Sequence, residues 1–314
     1  MTTLLNEEVL VFGGTGLVGS AIKLRFQAKE FGCDRRVLSP LSSEVNLLDY
    51  DSVRNYIEDV SPSLIIMAAG HVGGISFNTK NQAELFDSNL LMNFNLLKAA
   101  FELRIRKLML ISSSCLYPAK LKSPFSEDDL FIGLPEPTND GYAAAKLSAI
   151  RQLLVYRNNY GLNWQTCIST NVYGVDSVSF EKAHVIPQMI QKMIVAKESD
   201  SSKVEFFGDG TPIREFIFNT DLSDAIHWIH ANEVSKPIIN VSPGHPINMR
   251  DLAILVADVC EYRGDLVFNS KFPNGHPDKS LNSNILSESG WRPGVSLKSG
   301  IELLVKDSLT QITK

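Results

Sequence analysis

A tyrosine and a lysine four residues apart are the first residues in this sequence whose types and spacing can do chemistry. In Tyr142-Ala-Ala-Ala-Lys146 the two side chains lie on one face of a predicted helix. An ammonium beside a phenol lowers the pKa of the phenol, so Tyr142 can donate or accept a proton near neutral pH. The spacing also occurs by chance in many helices, so the pair needs support from other segments.

A run of serines provides that support. Ser112-Ser-Ser-Cys-Leu-Tyr-Pro118 comes at the end of a continuous apolar segment that predicts a buried strand. Ligands of doubly wound sheets bind at the carboxyl ends of the strands. A serine hydroxyl at this position can hydrogen-bond a substrate carbonyl beside Tyr142.

Three glycines spaced three residues apart follow the first predicted strand, in Gly13-Gly-Thr-Gly-Leu-Val-Gly19. They permit a tight turn, the close approach of a pyrophosphate and close helix–strand packing, and the following helix N-terminus favours phosphates. An ordinary glycine-rich turn is the alternative. The position within a βαβ unit favours a dinucleotide site, with Lys146 and Tyr142 at the nicotinamide ribose. The loop residues assigned to it are Gly13, Thr15, Gly16, Leu17, Val18 and Gly19.

The end of the second predicted strand, 36–39, bears on the choice between NAD and NADP. A NAD site usually has Asp or Glu there, on the ribose 2′-hydroxyl, but this strand ends in Val-Leu-Ser-Pro. The serines Ser39, Ser42 and Ser43 can donate hydrogen bonds to a 2′-phosphate, so NADP(H) is the expected cofactor. Asp49 is expected to accept from the adenine amino group, to cap a helix, or to do both.

The elements that must position these residues alternate strand and helix about five times, which predicts an α/β fold with a doubly wound parallel (Rossmann) sheet. The predicted strands are 8–12, 36–39, 63–67, 107–112 and 164–169, and the predicted helices are 20–31, 50–60, 83–103 and 142–160. The alternation ends after Asn171, where prolines separate shorter elements, so a smaller mixed C-terminal domain is expected. We assign 1–171 to the NADP-binding domain, with a returning segment around 213–242, and 172–212 with 243–314 to the substrate domain.

Composition excludes several classes of protein. With 44% hydrophobic residues among 314, the chain is too apolar to be disordered. No stretch approaches 18 uncharged apolar residues, so no membrane span is expected, and a net charge of −5 without a basic block argues against a nucleic-acid partner. Four cysteines without a CxxC motif predict no metal site, and the absence of a basic n-region makes the cytoplasm the default location.

The glycine loop, the strand-end serine and the Tyr-x-x-x-Lys pair together resemble the extended, sugar-nucleotide-modifying branch of the short-chain dehydrogenase/reductase superfamily. Further segments resemble the GDP-L-fucose synthase family within that branch, in family order and over nearly the whole chain. These segments are 72–75, 113–118, 137–139, 170–174, 184–187, 208–216 and 239–241.

This resemblance implies NADPH-dependent epimerisation of GDP-4-keto-6-deoxy-mannose at C3 and C5, followed by reduction at C4. It implies Cys115 as base and His184 as acid, since a thiolate and an imidazole both exchange protons near pH 7. Ser113, Tyr142 and Lys146 would support the reduction. Without this context, Cys115 is more often a small core hydrophobe and His184 a structural histidine.

The resemblance also assigns residues to the sugar nucleotide: Asn171, Lys192, Phe207, Arg214 and Lys279. The arginine would bind the diphosphate, and Phe207 stands where the family commonly has tryptophan, able to stack on guanine. Asp278 departs from the pattern, because the family commonly has a cation there.

Two alternatives stay open. A related enzyme could act on another GDP-4-keto sugar, of a colitose or heptose pathway, and reduce it without full epimerisation. A non-catalytic NADP-binding regulatory protein of the same fold is a second alternative. Members of the extended branch are often homodimers, so a homodimer is expected.

Overall fold

The structure, a computed structural model, describes residues 7–28, 35–175, 185–272 and 274–312. Within them the strands are β1 (Glu7–Phe12), β2 (Arg35–Leu38), β3 (Leu64–Met67), β4 (Lys107–Ser113), β5 (Asn163–Ser169), β6 (Asn171–Tyr173), β7 (Lys203–Phe207), β8 (Ile213–Arg214), β9 (Phe216–Phe218), β10 (Ile238–Val241), β11 (Ile247–Asn248) and β12 (Asp265–Asn269). The helices are α1 (Leu17–Gln27), α2 (Tyr50–Val60), α3 (Ile75–Lys80), α4 (Gln82–Glu102), α5 (Asp140–Tyr160), α6 (Val185–Glu198), α7 (Asn219–Ala231), α8 (Met249–Cys260), α9 (Asn284–Glu288) and α10 (Leu297–Ile312).

The main sheet has six parallel strands in the order β10-β5-β4-β3-β1-β2. The chain leaves β1 towards β2 on one side and returns to β3 on the other. The crevice between the carboxyl ends of β1 and β3 is therefore the switch point at which open α/β sheets bind ligands. The predicted α/β fold with a parallel Rossmann-like sheet is confirmed.

Apolar strands buried on both faces explain why helices cover both sides of this sheet. Ile65 and Ile66 in β3 are adjacent in sequence and fully buried, yet they belong to different core clusters. One cluster packs under α1 and α7, and the other packs under α2, α4 and α5. Alternate side chains of a strand point to opposite faces, so continuous apolar runs are required here.

The C-terminal part has its own core, formed between α6, α8 and α10 and the two-stranded parallel pairing of β7 with β12. Two further small sheets pair β8 with β11 and β6 with β9. Strand β6 directly follows β5 and pairs in parallel with β9, so the chain leaves the main sheet at its carboxyl edge.

Element boundaries agree closely with the predicted ones in the first half of the chain. Helix α2 spans Tyr50–Val60 as predicted, whereas α1 begins at Leu17 rather than at Ser20. The earlier start follows from the glycine loop, whose turn is complete at Gly16, the N-cap residue. None of the described helices combines the length and apolar character needed to cross a membrane.

Candidate active site

The glycine loop packs against the end of β3 so closely that side chains are excluded. Gly13 has φ +84°, a conformation that favours glycine, and a Cβ on it would lie 2.5 Å from the backbone N of Ala69. A Cβ on Gly19 would lie 2.1 Å from the carbonyl oxygen of Gly13. The first and last glycines therefore bring β1, α1 and β3 together at the switch point.

The start of α1 offers backbone donors to a ligand. Gly16 is the N-cap, and no side chain accepts from the first turn, which begins with Leu17 and Val18. Unpaired N–H groups at a helix N-terminus and the helix dipole favour an anion such as a pyrophosphate. Thr15 is exposed beside this turn.

The residue predicted at the 2′-phosphate and the residue predicted at the adenine have different surroundings. Ser39 lies against the loop, because a Cβ on Gly14 would be 1.9 Å from its Oγ. Asp49 is the N-cap of α2, and its Oδ1 accepts from the backbone N–H groups of Asp51 at 3.0 Å and Ser52 at 3.4 Å. The capping role of Asp49 is thus present in the structure.

Tyr142 and Lys146 are both buried on the first turns of α5. Burial lowers the pKa of the Lys146 ammonium to about 8, and the nearby Cys115 opposes this shift. Burial also raises the pKa of the Tyr142 hydroxyl, and Cys115 raises it further. The expectation that Lys146 lowers the pKa of Tyr142 is therefore wrong for this structure, because desolvation of the phenolate dominates.

Cys115 lies in a short 3-10 helix, Ser114–Leu116, that directly follows β4. Its thiol is half-buried and hydrogen-bonds with the side chain of Ser113. Burial raises the pKa of the thiol, and the charges of Lys279 and Lys146, with the hydrogen bond from Ser113, oppose the rise. The structure thus brings Ser113, Cys115, Tyr142 and Lys146 together, as the sequence predicts.

Two cations from the C-terminal segments reach the same place. Burial lowers the pKa of the Lys279 ammonium, while the charge of Cys115 raises it and that of Arg214 lowers it. Arg214 lies in β8, and burial also lowers the pKa of its guanidinium, opposed by Asp278 and Glu136. A pair of partly desolvated cations beside a thiol is suited to bind a diphosphate.

Asp278 takes part in building this cation pair. Its backbone forms an isolated parallel β-bridge with Ile213. Its Oδ1 accepts from the backbone N and Oγ of Ser280 at 2.9 and 2.6 Å. Its charge raises the pKa of the Arg214 guanidinium. Burial alone would raise the pKa of its carboxyl, but hydrogen bonds from Ser123 and Ser280 and the charge of Arg214 lower it. Asp278, which stands where the resembled family commonly has a cation, therefore places a fixed anion near Arg214.

The aromatic residue predicted for the base lies at the end of β7. Phe207 has 67% of its surface exposed and stacks on Phe272, with ring centroids 4.0 Å apart and planes at 25°. The ammonium of Lys192 lies 5.6 Å from the Phe207 ring centroid and donates to the carbonyl oxygen of Glu205 at 2.9 Å. Lys192 is therefore at the aromatic end of the site.

Two other predicted residues have different outcomes. Asn171, in β6, donates from Nδ2 to the carbonyl oxygen of Glu215 at 2.9 Å, so its amide holds the backbone directly before β9. His184 lies outside the described residues, which resume at Val185 in α6.

Asn89 is a neighbour of the site that we did not single out from the sequence. Its buried amide clamps His71 by accepting from the backbone N–H at 3.0 Å and donating to the carbonyl at 2.7 Å. This fixes the loop after β3, where the carbonyl of Ala69 accepts from Lys146 Nζ at 3.5 Å. An asparagine within an apolar helix was the signal available in the sequence.

The residues present fit a nicotinamide dinucleotide. Lys146 is a buried ammonium whose acceptor, Ala69 O, lies at the long distance of 3.5 Å, so ribose hydroxyls would complete its hydrogen bonding. The first turn of α1 lacks a side-chain cap, so the glycine loop, α1, Tyr142 and Lys146 would hold the dinucleotide across the switch point.

Comparison with known proteins agrees with this geometry. The model of the NAD dependent epimerase/dehydratase family matches residues 9–242. The chain is 35% identical over 302 residues to GDP-L-fucose synthase of Sinorhizobium fredii, covering 96% of this chain and 95% of that protein. It is also 35% identical over 297 residues to GDP-L-colitose synthase of Yersinia pseudotuberculosis, covering 94% and 95%.

A solved structure shows the same fold. GDP-mannoheptose C4 reductase from Campylobacter jejuni, with NADP bound, superposes with a TM-score of 0.86 at 24% identity, covering 97% of this chain and 98% of that one. Fold, site geometry and full-length similarity agree. The chain therefore belongs to the NAD dependent epimerase/dehydratase family, in the extended branch of the short-chain dehydrogenases/reductases, and is an NAD(P)-dependent enzyme of the sugar-nucleotide epimerase/reductase type.

Proposed function

We propose that this enzyme converts GDP-4-keto-6-deoxy-D-mannose to GDP-L-fucose by 3,5-epimerisation and 4-reduction with NADPH. The observation that carries the proposal is that Cys115 shares one site with Tyr142, Lys146 and the cation Lys279. A plain reductase needs the tyrosine and the lysine. A thiol that interacts with this pair and with a cation suited to the diphosphate adds a group able to exchange protons with carbon.

Epimerisation begins at the carbon acids next to the ketone. In our proposal the Cys115 thiolate removes the proton from C3 or C5, and the electron pair moves into the enolate. Lys279 and the hydrogen bond from Ser113 favour the thiolate. His184 returns a proton to the opposite face of the same carbon, which inverts the centre.

Reduction uses the other half of the site. A bound NADPH would supply the hydride for C4. The Tyr142 hydroxyl donates its proton to the C4 oxygen, and Ser113 hydrogen-bonds that oxygen. The raised pKa of Tyr142 keeps the hydroxyl protonated at neutral pH, which suits donation of a proton.

The nucleotide end lies along the C-terminal segments. Arg214 and Lys279 bind the diphosphate, Phe207 stacks on guanine, and Asn171 and Lys192 hold the segments that surround the sugar nucleotide. Hydrogen bonds between these segments support this arrangement, since the backbone N–H of Asp209 donates to the side-chain Oδ1 of Asn274 at 2.9 Å and that of Lys279 donates to the carbonyl oxygen of Ile213 at 3.3 Å. They link the aromatic end to the thiol end in one wall.

For the cofactor we propose NADP(H), bound by the loop residues with Ser39 at the 2′-phosphate and Asp49 near the adenine. The observation that favours it is the absence of a carboxylate at the end of β2, where Ser39 lies against the glycine loop.

We also propose that 1–171, with a returning segment around 213–242, forms the cofactor domain and that 172–212 with 243–314 forms the substrate domain. We propose the cytoplasm as the location of the protein. Support comes from β10, which adds to the main sheet, and from the separate core around α6, α8 and α10. We propose a homodimer through the neighbouring helices α4 and α5, which carry the exposed apolar residues Leu91, Phe94 and Val155.

Similarity at 35% to a GDP-L-colitose synthase keeps a second substrate in view, namely another GDP-4-keto sugar. The test is incubation with GDP-4-keto-6-deoxy-mannose and NADPH in D2O, with NMR of the product. We expect GDP-L-fucose with deuterium at C3 and C5. Reduction without deuterium at these carbons would favour a C4-reductase, and the absence of both product and NADPH oxidation would reject the proposal.

A further inference from the structure

Phe272 is an exposed aromatic residue that neither the motifs nor the proposed mechanism uses. It is 41% exposed and lies in the segment that follows β12. Its ring stacks on that of Phe207, with centroids 4.0 Å apart. Two stacked phenylalanine rings at the surface, both with large exposed areas, present apolar planar faces that solvent does not favour.

The position of the pair is fixed by the backbone on both sides. Strands β7 and β12 pair in parallel, with Phe207 opposite Asn269, so the chain emerges at the same edge from both strands. The backbone N–H of Phe272 donates to Asn269 O at 3.2 Å, and that of Gly208 donates to the same oxygen at 3.0 Å. One carbonyl thus holds both segments that carry the rings.

The pair lies next to the cation site. A Cβ on Gly275 would be 3.7 Å from Nη2 of Arg214, and three residues of extended chain from Phe272 to Gly275 span at most about 11 Å. Lys192 Nζ, at 5.6 Å from the Phe207 ring centroid, adds a positive charge at the aromatic end. Aromatic faces and cations at this spacing are suited to a nucleotide, whose base lies one ribose away from its phosphates.

We propose that Phe272 is a base-binding residue that forms a two-sided clamp with Phe207, and that the purine of the sugar nucleotide inserts between the two rings. The proposal rests on the proposed function and adds a second stacking surface to it. Without a nucleotide the two rings are in contact, and a centroid distance of 4.0 Å leaves no room for a base between them. The rings must therefore separate when the purine inserts. Exchange of one ring–ring contact for two ring–purine contacts favours insertion, because every base has a face that stacks on an aromatic ring.

The test is the affinity of the full-length protein for GDP, UDP and inorganic pyrophosphate, measured by calorimetry. Phe272→Ala is expected to weaken GDP binding about tenfold and to leave pyrophosphate binding unchanged. UDP, with its smaller base, is expected to lose less than GDP. Phe272→Leu keeps apolar bulk without a ring and should behave like the alanine variant, whereas Phe272→Tyr should bind GDP normally.

A tryptophan variant gives a direct readout of the clamp. In Phe272→Trp, GDP is expected to quench the new indole fluorescence with the same Kd that calorimetry gives. Tyr160→Ala is the control for Phe272→Ala, because Tyr160 is also exposed and lies against an aromatic ring, with its centroid 4.6 Å from that of Phe101, but is at the far end of α5.

The outcomes separate this proposal from the proposed function. If the unmodified protein binds GDP and Phe272→Ala binds it equally or more tightly, Phe272 is a spectator or a cover, and the clamp is rejected while the function stands. If the leucine variant binds like the unmodified protein, ring stacking is not the cause, and the clamp is rejected as well. An unmodified protein that does not bind GDP would reject both.

Discussion

The ammonium of Lys279 and the thiol of Cys115 act on each other through space, although one follows β12 and the other follows β4. Burial raises the pKa of the thiol and lowers that of the ammonium, so it opposes ionisation of both groups. Each charge favours the ionised form of the other. A residue that follows β12 thus helps to set the proton affinity of a group that follows β4.

Replacing Cys115 with serine tests its role at carbon. Without a thiolate, solvent deuterium exchange at C3 and C5 should fall by at least about 100-fold. NADPH affinity should stay near normal, since the thiol lies outside the glycine loop. Exchange is measured by NMR in D2O, with Cys260→Ala as the control because Cys260 is buried in the other core. Exchange that continues at the normal rate would remove Cys115 from the mechanism.

Replacing Lys279 with methionine tests the coupling to Cys115. Loss of the cation raises the pKa of the thiol further, so the pH midpoint of Cys115 alkylation by iodoacetamide should move upward by about 1 pH unit. Lys279→Arg keeps the charge and should retain the normal midpoint. Identical midpoints in the methionine and arginine variants would contradict an electrostatic coupling.

Replacing Lys146 with methionine should stabilise the free protein while it abolishes activity. Burial lowers the pKa of Lys146 from 10.5 to about 8, which corresponds to a cost of about 3 kcal/mol for folding with a charged lysine. The cost is fully present below pH 8. It decreases as the pH rises from 8 to 10.5, because there the unfolded chain binds the proton and the folded chain does not.

Denaturant unfolding of the cofactor-free protein measures this effect. The free energy of unfolding of Lys146→Met should exceed that of the unmodified protein at pH 7, and the difference should shrink towards pH 10. Lys236→Met, at an exposed lysine before β10, is the control and should show no such pH dependence. A methionine variant that is less stable at pH 7 would contradict the desolvation cost.

Replacing Ser39 with aspartate should move cofactor preference from NADPH towards NADH. A carboxylate at the end of β2 repels a 2′-phosphate and accepts a hydrogen bond from a ribose 2′-hydroxyl. We expect the ratio of kcat/KM for NADPH over NADH to fall by at least about tenfold, which corresponds to roughly 1.4 kcal/mol. Ser61→Asp, at the C-cap of α2, adds the same charge away from the loop. An unchanged ratio in Ser39→Asp would place the 2′-phosphate elsewhere.

The sequence by itself determined the main parallel sheet and the glycine loop that packs against it. Apolar runs such as Leu64–Met67 can be buried on both faces only inside a covered parallel sheet, and the glycines at 13 and 19 fit only where backbones touch. Both signals are local, so boundaries such as Tyr50–Val60 were predictable. The sequence also predicted that Ser113, Cys115, Tyr142 and Lys146 lie close together, since the carboxyl ends of parallel strands meet at one edge of the sheet.

Only the tertiary structure decided the direction of the pKa shifts and the contact between Phe207 and Phe272. The sign of the pKa shift of Tyr142 depends on how much water the fold removes, and spacing along a helix contains no such information. Phe207 and Phe272 come together because β7 and β12 pair in parallel, a contact between distant segments. Burial and long-range pairing are properties of the whole packed chain, which is why the motifs alone could not supply them.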